Sequence, residues 1–181
     1  AVTASAMASL QEESDGRAIC GIGRGDSSAA HIGKRQATTK ELKDSIQTIQ
    51  SYFRGESIDV GTMQSPIRWI DPDIIPPVPI DVACTGPKTI QMACEVSERV
   101  SFAVGSSYDR VSWAMNTALE HIEKIGRRRD EIKIGAYINL ICDPDEKRAI
   151  GMARMLAGLV AHFTAMKNAP IDHLPPSLQK I

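Results

Sequence analysis

Apolar and polar positions along the chain alternate between two rhythms. Four short runs, residues 17–22, 78–83, 100–104 and 132–141, are rich in apolar and β-branched residues and predict strands. Each gives way to sequence in which apolar residues recur every three or four positions, the spacing that lines one face of a helix. After the first run Leu42, Ile46, Ile49 and Phe53 form such a stripe, closed by Gly55 as a C-cap. After the second, Pro87 suits a first helical turn, and Ile90, Ala93 and Cys94 share a face. The third leads into a stripe of Val111, Met115, Ala118, Leu119, Ile122 and Ile125. The fourth leads into a long helix-like stretch with Asp143 or Asp145 near its cap. The opening segment is also helix-like, with apolar Val2, Ala6, Ala8 and Leu10.

Strands alternating with helices predict βα units on a parallel sheet, an α/β fold. The stretch 56–79 holds five prolines and little periodicity. It is expected to be an irregular insertion, at about 56–77, within one domain spanning 1–181. The tail 168–181, with three prolines, reads as a connecting segment or a frayed end.

Composition narrows the function classes. The chain has 181 residues, 43% of them hydrophobic, enough for the core of one ordinary domain. Its 21 basic and 22 acidic residues give a net charge of -1, which argues against nucleic acid or a membrane surface as partner. Cys20, Cys84, Cys94 and Cys142 lie far apart with no C-x-x-C pair and read as buried, reduced thiols of a cytoplasmic protein rather than a disulfide framework or zinc site. The four histidines show no metal spacing. Arg127, Arg128 and Arg129 end a helix, where cations complement its dipole, and Trp69 and Trp113 read as packing residues. No initiator Met is present, and the chain is expected to begin within a longer fold.

In parallel βα folds, ligands gather beyond the carboxyl ends of the strands, so the loops that follow the strands carry the candidate chemistry. The first is Gly23, Arg24, Gly25, Asp26 and Ser27. Asp26 stands where the dinucleotide fingerprint G-x-G-x-x-G requires its last glycine, and an adhesive Arg-Gly-Asp role would need a secreted protein. The second loop is Thr85-Gly86-Pro87-Lys88-Thr89. It is either a phosphate cradle, with the amides of Lys88 and Thr89 offered at a helix start, or simply that helix start. The third, Val104-Gly105-Ser106-Ser107, allows the same two readings.

The order of "GRAICGIGRGDSS", "TTKELKDSIQTIQSYFRGESIDV", "SPIRWI" and "PVPIDVACTGPKTIQMACEVSERVSFAVGSS" resembles the luciferase-like flavin-dependent oxidoreductases, nearest to the methylenetetrahydromethanopterin-reductase-like branch. The resemblance covers about residues 1–169. It implies a (β/α)8 barrel, here a partial one of about four βα units, with an insertion over the active site and a homodimeric assembly. It also implies hydride transfer or oxygen activation, as in a monooxygenase, on a small organic substrate, with FMN or the deazaflavin coenzyme F420 as cofactor. By that resemblance Thr85, Gly86, Pro87 and Lys88 bind the cofactor phosphate, Val104 and Gly105 line the same pocket, and Gly23 lies nearby. Arg24, Asp26 and Ser27 fall at the substrate side of the barrel mouth. Where the family commonly has Ala-Asp-Gly, this chain has Ser97-Glu98-Arg99. No catalytic residue is assigned, since the strands expected to carry one precede this sequence in the family. Two other readings are a flavin-binding protein without turnover and a different phosphate-binding barrel enzyme, such as a sugar-phosphate isomerase.

Overall fold

The fold is drawn from a computed structural model that describes residues 1–164. The tail 168–181 therefore lies outside the described residues. The elements run α1 (Val2–Glu13), β1 (Cys20–Ile22), α2 (Asp26–His31), α3 (Thr39–Phe53), β2 (Ile58–Asp59), β3 (Gln64–Ser65), β4 (Ile80–Cys84), α4 (Pro87–Val96), β5 (Arg99–Phe102), α5 (Tyr108–Lys124), β6 (Lys133–Ala136) and α6 (Glu146–Thr164), with a short 3-10 turn at Arg129–Glu131.

Four of these strands form one parallel sheet in the order β1-β4-β5-β6, so strands adjacent along the βα series are adjacent in space. The expected α/β class and parallel sheet are what the chain adopts. One sheet face is apolar throughout. Ile80, Val82, Cys84 and Val100 are fully buried there, and Phe102 almost so, under α3, α4 and α5. Burying these side chains is the main source of stability, at roughly 1.5–3 kcal/mol for each large one. The other face carries small and polar residues. Gly21, Asp81 and Arg99 share one row of the register and Ala83, Ser101 and Gly135 the next. This second face corresponds to the inside of a barrel.

The helices form for the reasons their sequence gives. The start of α3 is closed by a capping box. Thr38 Oγ1 accepts from the Glu41 amide at 3.1 Å, and Glu41 accepts from the Thr38 amide at 2.7 Å. Leu42, Ile46, Ile49 and Phe53 are all buried, and Gly55 takes φ +72° just past the helix, as a C-terminal glycine does. Two stripes depart from expectation. In α1 the buried residues are Ala4, Ala8 and Gln11, with Val2 and Leu10 exposed, because Gln11 is drawn inward to hold Pro76 O and the Ala18 amide. In α5 the inward face is Arg110, Ala114, Ala118 and Ile122, while Leu119 and Ile125 are exposed.

The excursion contains the β2–β3 hairpin and packs against α1 and the end of α3. Tyr52 donates to Ser65 Oγ at 3.3 Å, Pro72 abuts Gly55, and Trp69 flanks α1 beside Val2 and Ser5 with 45% of its surface exposed. Trp69 is thus only half the packing residue that the sequence suggests. The turn before β5 also keeps its connections despite its departure from the family pattern. Glu98 accepts from the Ile80 amide at 2.9 Å, and Ser97 Oγ donates to Ala93 O and Arg99 O at 2.8 Å.

Candidate functional site

All four parallel strands deliver their following loops to one rim, and the loops after β4 and β5 are immediate neighbours there. The ladder runs past the ends of the strands, since the Ala103 amide donates to Cys84 O and the Tyr137 amide to Phe102 O, both at 2.8 Å. Thr85–Lys88 and Val104–Gly105 are thereby brought together on the same side of the molecule.

The helices rising from that rim differ in one respect. Thr38 caps α3, and Asp145 caps α6 by accepting from the amides of Lys147 and Arg148 at 2.9 and 3.3 Å. The six-residue α2 starts at Gly25 without such a cap, and of the longer helices that follow the strands α4 begins at Gly86 and α5 at Ser107 with no side-chain cap. Their first-turn amides and positive helix ends therefore remain available to an anion. In α4 the Thr89 amide turns back to Gly86 O at 3.1 Å, leaving Lys88 rather than both amides to face outward. Lys88 is exposed at the same helix start, and its side chain makes no ion pair among the described residues.

The two glycines differ as well. At Gly86 the backbone is extended, φ -132°, and a Cβ would meet nothing within 4 Å. Nothing in the fold demands glycine there, so the open space is a cradle that a side chain would fill. Gly105 is held at φ +82°, a conformation side chains rarely adopt. Val104 is a different case. Its side chain is buried in the core, so only its backbone can face the rim.

The first loop is organised around Arg24 and Ala37. Arg24 Nε donates to Ala37 O at 2.6 Å and the Ala37 amide returns a bond to Arg24 O at 2.9 Å. Arg24 is thus tied into the loop leading to α3. Gly25, at φ +74°, turns the chain into the one-and-a-half-turn α2, on which Asp26 and Ser27 stand. Gly23 lies beside Ala83, 3.7 Å from where a Cβ would sit, on the inner face of the sheet.

Two features escaped the sequence. Reading residues 132–141 as one strand hid a loop, since β6 ends at Ala136, and the chain then bends into a cleft lined by Gly105, Ser106, Asn139, Ile141 and α6. The polar Asn139 inside an apolar run was the available signal. The inner face also holds a polar cluster in which Ser101 Oγ donates to Asp81 Oδ2 at 2.9 Å, with Arg99 Nε 3.9 Å from the same oxygen, too far for a hydrogen bond. The alternation Asp81, Ala83 in β4 and Arg99, Ser101 in β5 carried that signal.

Among the cysteines, Cys20, Cys84 and Cys94 are buried as expected, but Cys142 is exposed because its run is a loop and not a strand. Burial pushes the Cys84 thiol far up and that of Cys94 up to about 11. The arginine run is occupied structurally, with Arg127 donating to Cys94 O at 2.8 Å and Arg129 to Ile132 O at 2.7 Å. Among the described residues there is no cluster that could hold a metal ion, and no helix is long and apolar enough to cross a membrane.

Comparison with known proteins gives this arrangement a context. The family described as luciferase-like monooxygenase matches residues 1–174. The 5,10-methylenetetrahydromethanopterin reductase of Methanolobus tindarius is 29% identical over 170 residues, covering 88% of this chain and 50% of that protein. The F420-dependent glucose-6-phosphate dehydrogenase of Nakamurella multipartita is 28% identical over 169 residues, covering 87% and 49%. Of solved structures, the coenzyme F420-dependent tetrahydromethanopterin reductase from Methanopyrus kandleri aligns with a TM-score of 0.72 at 24% identity, over 88% of this chain and 51% of that one. An F420-dependent secondary alcohol dehydrogenase aligns with a TM-score of 0.73 at 15% identity, over 99% and 56%. The chain spans about half the length of the curated relatives it matches. Its sheet of four successive βα units is the corresponding arc of their barrel fold. With a match running through nearly all of its sequence, this chain belongs to the luciferase-like monooxygenase family.

Proposed function

We propose that the chain forms the phosphate-holding half of an F420- or flavin-dependent oxidoreductase acting on a small organic substrate. The observation that carries this reading is the pair of uncapped helix starts, α4 and α5, side by side on one rim with open space at Gly86. The names of the relatives favour coenzyme F420, with FMN the second choice. When bound, either group supplies hydride transfer at its ring system. On this reading the Lys88 amide and ammonium, the backbone of Thr85 and Gly86, and the Val104–Gly105 backbone hold the anionic end, with Pro87 presetting the turn. Gly23, Arg24, Asp26 and Ser27 border the reacting side of the barrel mouth. Hydride transfer is preferred to oxygen activation because the relatives compared above are named as reductases and dehydrogenases. Residues 1–181 act as one domain with the 56–77 segment as its insertion, and two copies associate as a homodimer. The buried, unpaired Cys20, Cys84 and Cys94 suit a reducing cytoplasmic setting.

The test is a titration of the chain with F420 and with FMN, followed by cofactor fluorescence, for the wild type and Gly86→Val. Saturable binding of at least one cofactor, weakened about tenfold or more in the variant, is the expected result. Failure of both cofactors to bind the wild type would overturn the reading.

A further inference from the structure

We infer that the cleft between the loop after β5 and the start of α6 takes an uncharged, largely apolar part of the substrate that bears a hydrogen-bond acceptor such as a carbonyl. This rests on the cofactor reading above, because Gly105 borders both places. The cleft encloses about 330 Å³, at the small end of the range for ligand pockets. One wall is apolar, formed by Ile141 from the loop after β6 and by Ala149, Ile150 and Ala153 from α6. The alanines stand four apart on one helix face, leaving the width that larger side chains would close. Ile150 remains 46% exposed, a large apolar side chain without full cover.

The other described lining residues, Gly105, Ser106 and Asn139, bring polar but uncharged groups. Among the described residues, no lysine, arginine, aspartate or glutamate lines the cleft. Of the cations that flank these residues on α6, Arg148 is already engaged, and Arg154, next to Ala153, is exposed and is not among the lining residues. Asp145 occupies the amides at the helix start, and Arg148 Nε donates to Asp143 Oδ2 at 2.6 Å. An anionic substrate group placed here would meet no counter-charged side chain among the described lining residues and only the partial charge at the start of α5, whereas a neutral group with one acceptor would meet Asn139 or Ser106. The loop at Gly105 thus separates two chemistries, an anion-accepting side toward α4 and a neutral, apolar side toward α6.

Ligand-observed NMR on the full chain provides the test, with acetophenone as the neutral probe and benzyl phosphate as an anion of similar size. The expected result is saturable acetophenone binding, stronger than that of benzyl phosphate, reduced about tenfold by Ala153→Trp and by Asn139→Ala. Asn139→Ala is the safeguard should the bulkier change unfold α6, and helical circular dichroism monitors that. FMN or F420 binding should be unchanged in both variants. Equal or tighter binding of benzyl phosphate, or acetophenone binding indifferent to both substitutions, would overturn the inference. Loss of the cofactor reading shows separately, as absence of FMN and F420 binding in the wild type while acetophenone still binds.

Discussion

At Gly86 an added methyl group meets open space on an extended backbone, whereas at Gly105 the backbone sits at φ +82°. Substitution should therefore separate folding from binding at these two positions. Gly86→Val is expected to leave the melting temperature within about a degree, since it introduces neither strain nor overlap, while cofactor affinity falls. Gly105→Ala should cost about 1–2 kcal/mol of stability from the left-handed conformation alone, measured by urea denaturation. A Gly86→Val protein that melts well below the wild type would show that the glycine serves the fold. The cysteines permit a second residue-scale measurement. Burial holds Cys20, Cys84 and Cys94 in the unreactive thiol form while Cys142 is exposed. A maleimide should thus label Cys142 rapidly in the native protein and the other three only on unfolding. Rapid labelling of Cys84 would contradict its placement in the core.

Three neighbouring helices are joined at Glu95. It accepts from Lys43 of α3 at 2.7 Å and lies 3.2 Å from His121 Nε2 of α5. The hydrogen bond from Lys43 holds its carboxyl below the usual carboxylate range, assisted by His121 against some desolvation. A lowered folded pKa means that the stabilisation is complete above the unfolded carboxylate value, about 4.3. It disappears as pH falls through the lower folded value. Glu95→Gln should accordingly be less stable than the wild type at neutral pH by an amount on the order of 0.5 kcal/mol for such half-exposed pairs, read as a lower melting temperature. The gap should narrow toward about pH 3, and a gap independent of pH would refute the linkage. Losing the capping box through Thr38→Ala should cost about 1 kcal/mol, read from the same melts.

The helices were the more legible elements in the sequence. The residues that spacing assigned to the inner faces of α3 and α4 are all buried there, joined by Tyr52 in α3 and by Thr89 and Met92 in α4. In α1 and α5, Gln11 and Arg110 took inward positions that a hydrophobicity pattern reserves for apolar side chains. The strand at 132–141 was overextended because a loop lining a cleft is apolar for the same reason a strand is. The rim loops could be found from their glycines, but the absence of caps on α4 and α5, which marks those two among the longer helices of the rim, depends on side-chain geometry and not on composition.

For the molecule as a whole, Phe102 is a large side chain buried almost completely between the sheet and its helices. Phe102→Ala should remove about 3–5 kcal/mol, enough to leave much of a marginally stable chain unfolded. The strand order also grades the sheet. Among the described residues β4 and β5 are paired along both edges, while β1 and β6 each have one paired edge. Deuterium should therefore enter the amides of β1 and β6 first and those of β4 and β5 last. The slowest-exchanging strands would then be the pair that leads into the uncapped starts of α4 and α5, so the anchor for the anion would stay in place even while the outer strands breathe.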